Sequence, residues 1–155
     1  MPRTYESLID ALRRFARSGD RRLIVEAAVV LLLVRVALWT LPYATLRRLL
    51  DSIDAGDNES SRELVSRVAR AVTAVAGRLP FGTCLVQALA AQAMLRRRGC
   101  DSVVRFGVRD IAGGATTIET HAWLEHDGAV IVGRIDNLPE YGVLSPYNEK
   151  ARRHS

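Results

Sequence analysis

One cysteine of the sequence has a position suited to nucleophilic catalysis. Cys84 comes after the break 79–82, Leu-Pro-Phe-Gly, and it opens an apolar segment of helical spacing with Thr83 as the expected N-cap. A thiol in the first turn of a helix lies beside unpaired backbone N–H groups and the positive end of the helix dipole, which favour the thiolate. The same N–H groups suit an oxyanion on an attacked carbonyl. Taken alone, the position favours a small buried cysteine beneath a helix cap.

A histidine lies farther along the chain in a segment that alternates like a strand. The segment is 120–125, Thr-His-Ala-Trp-Leu-Glu, and its alternation puts His121 and Trp123 on one face. A histidine on a core strand that faces a helix N-terminus is what a Cys–His dyad needs. The imidazole then takes the thiol proton and later returns it to a leaving amine. Taken alone, a strand histidine is more often structural.

Three acidic residues are candidates for the group that orients the imidazole. Asp127 is expected to be used by a turn, and Glu125 lies four residues along the strand, too far for a direct bond to His121. Asp136 follows the last predicted strand, and the return of that strand beside the first would bring it to His121. We therefore prefer Asp136, whose alternative role is that of a turn residue.

The elements that must position these residues predict an α+β fold in a single domain, 1–155. A helical N-terminal portion, 1–78, precedes a catalytic core, 79–147, and a basic tail, 148–155. Apolar spacing and caps predict these helices: Thr4–Arg17, Leu23–Trp39, Tyr43–Ile53, Arg62–Arg78 and a helix from Cys84 that closes at Arg96–Arg98 with Gly99 after it. Alternation predicts these strands: Ser102–Val108, Ile118–Glu125 and Ala129–Val132. The connections are expected at these places: Asp54–Ser61, Asp110–Thr117 and the hairpin turn Asp127-Gly128.

Composition narrows the function classes. The chain has 155 residues, 48% hydrophobic and 25% charged, which is typical of one globular domain. The net charge of +5 comes from arginines scattered through helices, and aromatic residues make up only 6%, so we expect no nucleic-acid partner. Two cysteines and three histidines without ligand spacing indicate neither a disulfide scaffold nor a zinc site. We expect no metal or other cofactor.

The predicted helix Leu23–Trp39 is the most apolar segment, and it bears on localisation. It has 17 residues interrupted by Glu26 and Arg35, whereas a membrane span needs about 20 apolar residues. A buried or surface-lying helix is therefore preferred over a span. No small-residue cleavage site follows it, so we expect a cytoplasmic protein with Cys84 and Cys100 as free thiols.

The order of cysteine helix, His-Ala-Trp strand and later acid resembles transglutaminase-like and papain-like cysteine enzymes. Within these enzymes, the residue pattern over roughly 79–144 resembles one family, the lasso peptide biosynthesis B2 proteins. The segments that carry this resemblance are these: 84–90 (CLVQALA), 95–99 (LRRRG), 104–109 (VRFGVR) and 121–125 (HAWLE) followed by Asp127-Gly128. Some relatives have an aspartate near the position of 132–134, where this sequence has Val-Gly-Arg. That departure leaves the third catalytic residue open.

The resemblance implies a cysteine peptidase that removes the leader from a ribosomally made precursor peptide, with Cys84 as nucleophile and His121 as general base and acid. It implies three partners: the precursor leader, a separate leader-recognition (B1-type) protein and an ATP-using lasso cyclase. The helices begin close to Met1, which agrees with that split form. Gln87, one turn into the helix, is a candidate helper for the oxyanion or a plain helix-face contact.

Two rival functions keep parts of this interpretation. Transglutaminase-like amide transfer or deamidation uses the same Cys–His pair with another acceptor, since a fold does not fix a reaction. A non-catalytic adaptor at a membrane surface would use the apolar helix as its anchor. The Cys84→Ala variant of such a protein would keep its full function.

Overall fold

A computed structural model describes residues 20–53, 62–111 and 117–144. Four helices precede a four-stranded antiparallel sheet in these ranges, so the α+β prediction is confirmed. The predicted helix Thr4–Arg17, the loop Asp54–Ser61 and the basic tail 148–155 lie outside the described residues.

The helices have the following bounds: α1 Arg21–Thr40, α2 Tyr43–Asp51, α3 Arg62–Ala76 and α4 Cys84–Arg96. Pro42 separates α1 from α2, because its ring fixes φ and the residue before it is pushed out of the helical region. The predicted start of α4 at Cys84 is confirmed, and Gly99 has the positive φ of 75° expected just beyond it. α1 is longer than predicted at both ends, whereas α2 and α3 stop two residues early.

The strands are as follows: β1 Val103–Ile111, β2 Thr117–His126, β3 Ala129–Val132 and β4 Gly142–Leu144. They lie in the order β3-β2-β1-β4, and β1 pairs with β2 without a break from Val103↔Glu125 to Ile111↔Thr117. The predicted turn at Asp127-Gly128 is confirmed, with φ of 49° and 76°. β1 and β2 are longer than predicted, and sequence reasoning missed β4 because three residues are too few to show strand alternation.

Helix α4 lies at the centre of the fold. It contacts α1 and α3 on one side and the sheet on the other, and its residues from Val86 to Leu95 are half-buried or fully buried. Val104 and Leu124 supply the sheet side of this core. A helix buried on most of its circumference cannot swing, so the residue at its first position is fixed relative to the strands.

Helix α1 buries one face and leaves the opposite face apolar. Leu23, Ala27, Leu31 and Val34 form its buried stripe. Large apolar side chains also remain exposed along it: Val25, Val29, Leu32, Leu33, Val36 and Trp39, the last at 84%. Within the described residues α1 is the one helix long and apolar enough to cross a membrane by length and composition.

Candidate active site

Cys84 is the first residue of α4, and a tight turn from α3 delivers it there. A Cβ on Gly82 would lie 2.2 Å from the carbonyl oxygen of Ala76, so only glycine lets the chain pass this close to the end of α3. The Gln87 amide donates to the Gly82 carbonyl at 2.6 Å and fastens the same turn. Gln87 therefore holds the approach to the cysteine, the helix-contact alternative of its two predicted roles.

The first turn of α4 keeps its amides available. Thr83 occupies the N-cap position as predicted, but its side chain makes no capping hydrogen bond. At this end of the helix the Gln87 N–H donates to the Thr83 carbonyl at 3.0 Å. Cys84 is partly exposed, whereas Cys100 is buried. The sulfur at this position can act as a nucleophile, and the uncapped N–H groups beside it can stabilise an oxyanion.

His121 lies in the middle of β2, with its ring held on several sides. Its Nε2 donates to the main-chain carbonyl of Gly133 at 2.7 Å, because a carbonyl oxygen can only accept. The ring stacks on Trp123 with 6.1 Å between centroids, and Tyr141 lies tilted at 5.8 Å. These contacts fix the plane of the imidazole and leave Nδ1 as the nitrogen for chemistry.

The relative placement of Cys84 and His121 follows from the register of the sheet. α4 packs against β2, so the two residues lie on neighbouring elements. Leu124 and Val104 face the core that α4 helps to form, and alternation places His121 on the other face of β2 with Trp123. Among the described residues, no hydrogen bond joins the sulfur of Cys84 to the imidazole of His121. A Cys–His dyad thus remains a prediction.

The three acidic candidates are placed differently. Glu125 accepts from Trp123 Nε1 at 2.8 Å and from Arg105 Nε at 3.1 Å, so its carboxylate is occupied. Asp127 forms the hairpin turn, as expected. Asp136 lies in an exposed turn after β3, and within the described ranges no hydrogen bond joins it to His121. The structure thus gives His121 a carbonyl partner at the place where we expected a carboxylate.

A charged cluster beside His121 is the part of the site that sequence reasoning missed. Arg109 donates to both Glu119 and Glu140 at 2.5 Å, and its guanidinium lies 5.4 Å from the centre of the Tyr141 ring. The hydrogen bond from Arg109, then that from Tyr141, lowers the pKa of Glu119, and the charge of a protonated His121 adds to this lowering. Burial, followed by the hydrogen bond to Glu119, raises the pKa of Tyr141.

Glu119 therefore stays ionised next to the histidine. Its position two residues before His121 on the same strand face was the signal available in the sequence. Its partners Arg109 and Tyr141 come from β1 and from the approach to β4, which no local pattern connects to it.

A groove of about 860 Å³ lies elsewhere, between α3 and the β2–β3 hairpin. Its lining includes Arg62, Arg70 and Ile131 but neither Cys84 nor His121. Cavity size therefore does not locate the candidate catalytic residues.

Cys84 begins the central helix α4, and α4 packs on a small antiparallel sheet that carries His121. This fold and these residue types are typical of cysteine enzymes whose nucleophile lies at a helix N-terminus. A model of the transglutaminase-like superfamily matches residues 28–146, and the chain belongs to that superfamily. The superfamily includes cysteine peptidases and its members are commonly catalytic. No curated protein and no solved structure matched the chain. The match begins inside α1, so the helices belong to the family's domain together with the sheet.

Proposed function

We propose that this protein is a cysteine peptidase that cleaves the leader from a ribosomally made lasso precursor peptide. The observation that carries the proposal is Cys84, a partly exposed thiol at the first residue of a buried helix, in a chain of the transglutaminase-like superfamily. The resemblance of its cysteine helix and His-Ala-Trp strand to lasso B2 proteins supplies the substrate class. It also supplies the partners: a separate leader-recognition protein and a cyclase.

The chemistry would proceed through an acyl-enzyme. His121 takes the proton of Cys84, and the sulfur attacks the scissile carbonyl to form an S–C bond. N–H groups of the first α4 turn hold the resulting oxyanion. Collapse breaks the C–N bond, His121 returns the proton to the leaving amine, and the core peptide departs. Water then breaks the S–C bond and releases the leader as a carboxylate.

This mechanism requires His121 to reach the sulfur when substrate is bound. Since alternation places His121 on the face of β2 away from Leu124 and the α4 core, this approach requires a rearrangement of the site on substrate binding. Glu119 supports the imidazolium step, because its carboxylate stays charged beside the ring.

The test incubates the full chain with the precursor and the leader-recognition protein and weighs the products by mass spectrometry. We expect two fragments from the parent and none from Cys84→Ala or His121→Ala. Matched controls are Cys100→Ala and His126→Ala, since Cys100 is buried and the His126 ring bonds to the Asp101 carbonyl at the far end of β2. Intact precursor with the parent, while the partner binds it, would overturn the proposal.

The same assay distinguishes hydrolysis from amide transfer and tests whether Asp136 is the third catalytic residue. With an added primary amine, amide transfer would leave the leader fragment carrying the mass of that amine, whereas hydrolysis leaves a free carboxylate. A slowed rate in Asp136→Ala supports its role as third residue. Cleavage by Asp136→Ala at the parental rate would remove Asp136 from the mechanism and leave the pair of Cys84 and His121 in it.

The exposed face of α1 favours a second candidate, a membrane-surface adaptor. Helix α1 itself carries three arginines, Arg21, Arg22 and Arg35, against one acid, Glu26, so it has a positive balance beside its apolar face. An adaptor would sediment with anionic vesicles and would function equally well with Cys84→Ala. Vesicle binding lost in Leu33→Glu with cleavage retained would assign both activities to one chain.

A further inference from the structure

The orientation of His121 depends on a main-chain group. Its Nε2 lies 2.7 Å from the Gly133 carbonyl oxygen, and this is the hydrogen bond that the ring makes within the described residues. The imidazole also touches two aromatic rings, which limit its tilt but accept no proton from its nitrogens. The carbonyl is therefore the group that can select one tautomer of the neutral ring.

The chain holds this carbonyl in place through an unusual backbone. Val132 pairs with Leu124 at the end of β3, and Gly133 follows with φ of 83°, a region that favours glycine. A Cβ there would lie 2.8 Å from the Ala122 carbonyl oxygen and 3.1 Å from Trp123 Cα. The backbone at Gly133 thus lies directly against Ala122 and Trp123 of β2, the two residues after His121, and only glycine permits this approach.

We propose that the Gly133 main-chain carbonyl is the positioning group of His121, holding the proton on Nε2 and leaving Nδ1 as the base. The inference rests on the proposed function for the use of that base. In the reaction the S–H bond of Cys84 breaks and an Nδ1–H bond forms, while Nε2–H stays on the carbonyl. The later transfer breaks Nδ1–H and protonates the leaving amine.

A carbonyl differs from a carboxylate in this position. It accepts one hydrogen bond and fixes the tautomer, but it carries no full charge to stabilise the imidazolium. The charge near the ring comes instead from Glu119, whose pKa is lowered mainly by Arg109. Orientation and charge are thus supplied by two different groups, Gly133 and Glu119.

The experiment measures the imidazole nitrogen signals of the full chain by ¹⁵N NMR at a pH where His121 is neutral. We expect Nε2 in the range of a protonated nitrogen and Nδ1 in the range of an unprotonated one. His121→Gln assigns the signals. The measurement needs no substrate, and a proton on Nδ1 in the parent would overturn the inference.

Gly128→Ala is the matched control for Gly133→Ala. Both glycines have positive φ, 76° and 83°, so the backbone strain is similar, but a Cβ on Gly128 meets no atom within 4 Å. Gly133→Ala should lose the single tautomer and lower kcat by about 10²-fold with little change in KM, because the base is misplaced. Gly128→Ala should keep the tautomer and the parental rate.

Two other results decide between the inferences. A tautomer that changes in Asp136→Asn but not in Gly133→Ala would assign the orienting role to Asp136 and refute the carbonyl. If the parent shows the expected tautomer but cleaves no precursor, the role of Gly133 is supported and only the proposed peptidase function is contradicted.

Discussion

Gly107→Ala is expected to destabilise the sheet at the point where it supports His121. Gly107 is buried in β1, opposite His121 on one side and Val143 of β4 on the other. An added Cβ would lie 2.8 Å from Trp123 Cζ3 and 2.8 Å from Tyr141 Cβ, well inside the 3.5–4.0 Å of an optimal carbon contact. Neither neighbour can yield easily, because Trp123 is only 2% exposed and the Tyr141 Cβ is next to its backbone.

The magnitude follows from two opposing effects. Overpacking a filled site costs about 1–3 kcal/mol. The loss of glycine's freedom in the unfolded chain offsets about 0.4–1 kcal/mol of this. The free energy of unfolding should therefore fall by about 1–2 kcal/mol, which lowers Tm by roughly 2–8 °C for a domain of this size.

The assay is urea unfolding followed by circular dichroism, with Gly142→Ala as the control. A Cβ on Gly142 would meet its nearest atom, the Val108 carbonyl oxygen, at 3.6 Å, an ordinary contact. The control should be as stable as the parent or more stable by about 0.5 kcal/mol. Equal midpoints for the two variants would refute the steric reasoning, as would a less stable Gly142→Ala.

Two further predictions concern reactivity and pH. Iodoacetamide should alkylate Cys84 in the folded protein while Cys100, 1% exposed, reacts only after unfolding; peptide mapping reports both, and equal rates in native buffer would contradict the assigned burial. Glu26→Gln should lower the free energy of unfolding at pH 7 by roughly 1 kcal/mol, because Glu26 accepts from Arg98 at 2.9 Å. That bond lowers the pKa of Glu26 below 4.5, so its stabilisation is present above that pH and is lost as the pH falls through the folded pKa. In urea melts the gap between parent and variant should close in acid, and a gap that widens there would contradict the ion pair.

Local patterns in the sequence predicted most of the scaffold. The start of α4 at Cys84 followed from a proline-glycine break ahead of an apolar run, and the hairpin turn followed from Asp127-Gly128. β3 was predicted with its observed bounds, Ala129–Val132. Strand ends were less certain, because β1 and β2 continue into residues whose alternation is obscured by charges. β4 has only three residues, too few to show an alternating pattern, and it exists because its backbone pairs with β1.

The sequence by itself determined which residue types were available and where along the chain each one lies: a thiol at a helix start, a histidine in a strand, a glycine directly after β3. Only the tertiary structure decided what meets His121. Its ring bonds to the Gly133 carbonyl, 12 residues away, and lies beside Tyr141 and Glu119. A main-chain carbonyl is present at every residue and has no signature in a sequence, so its role depends on how the strands pair and where the backbone turns.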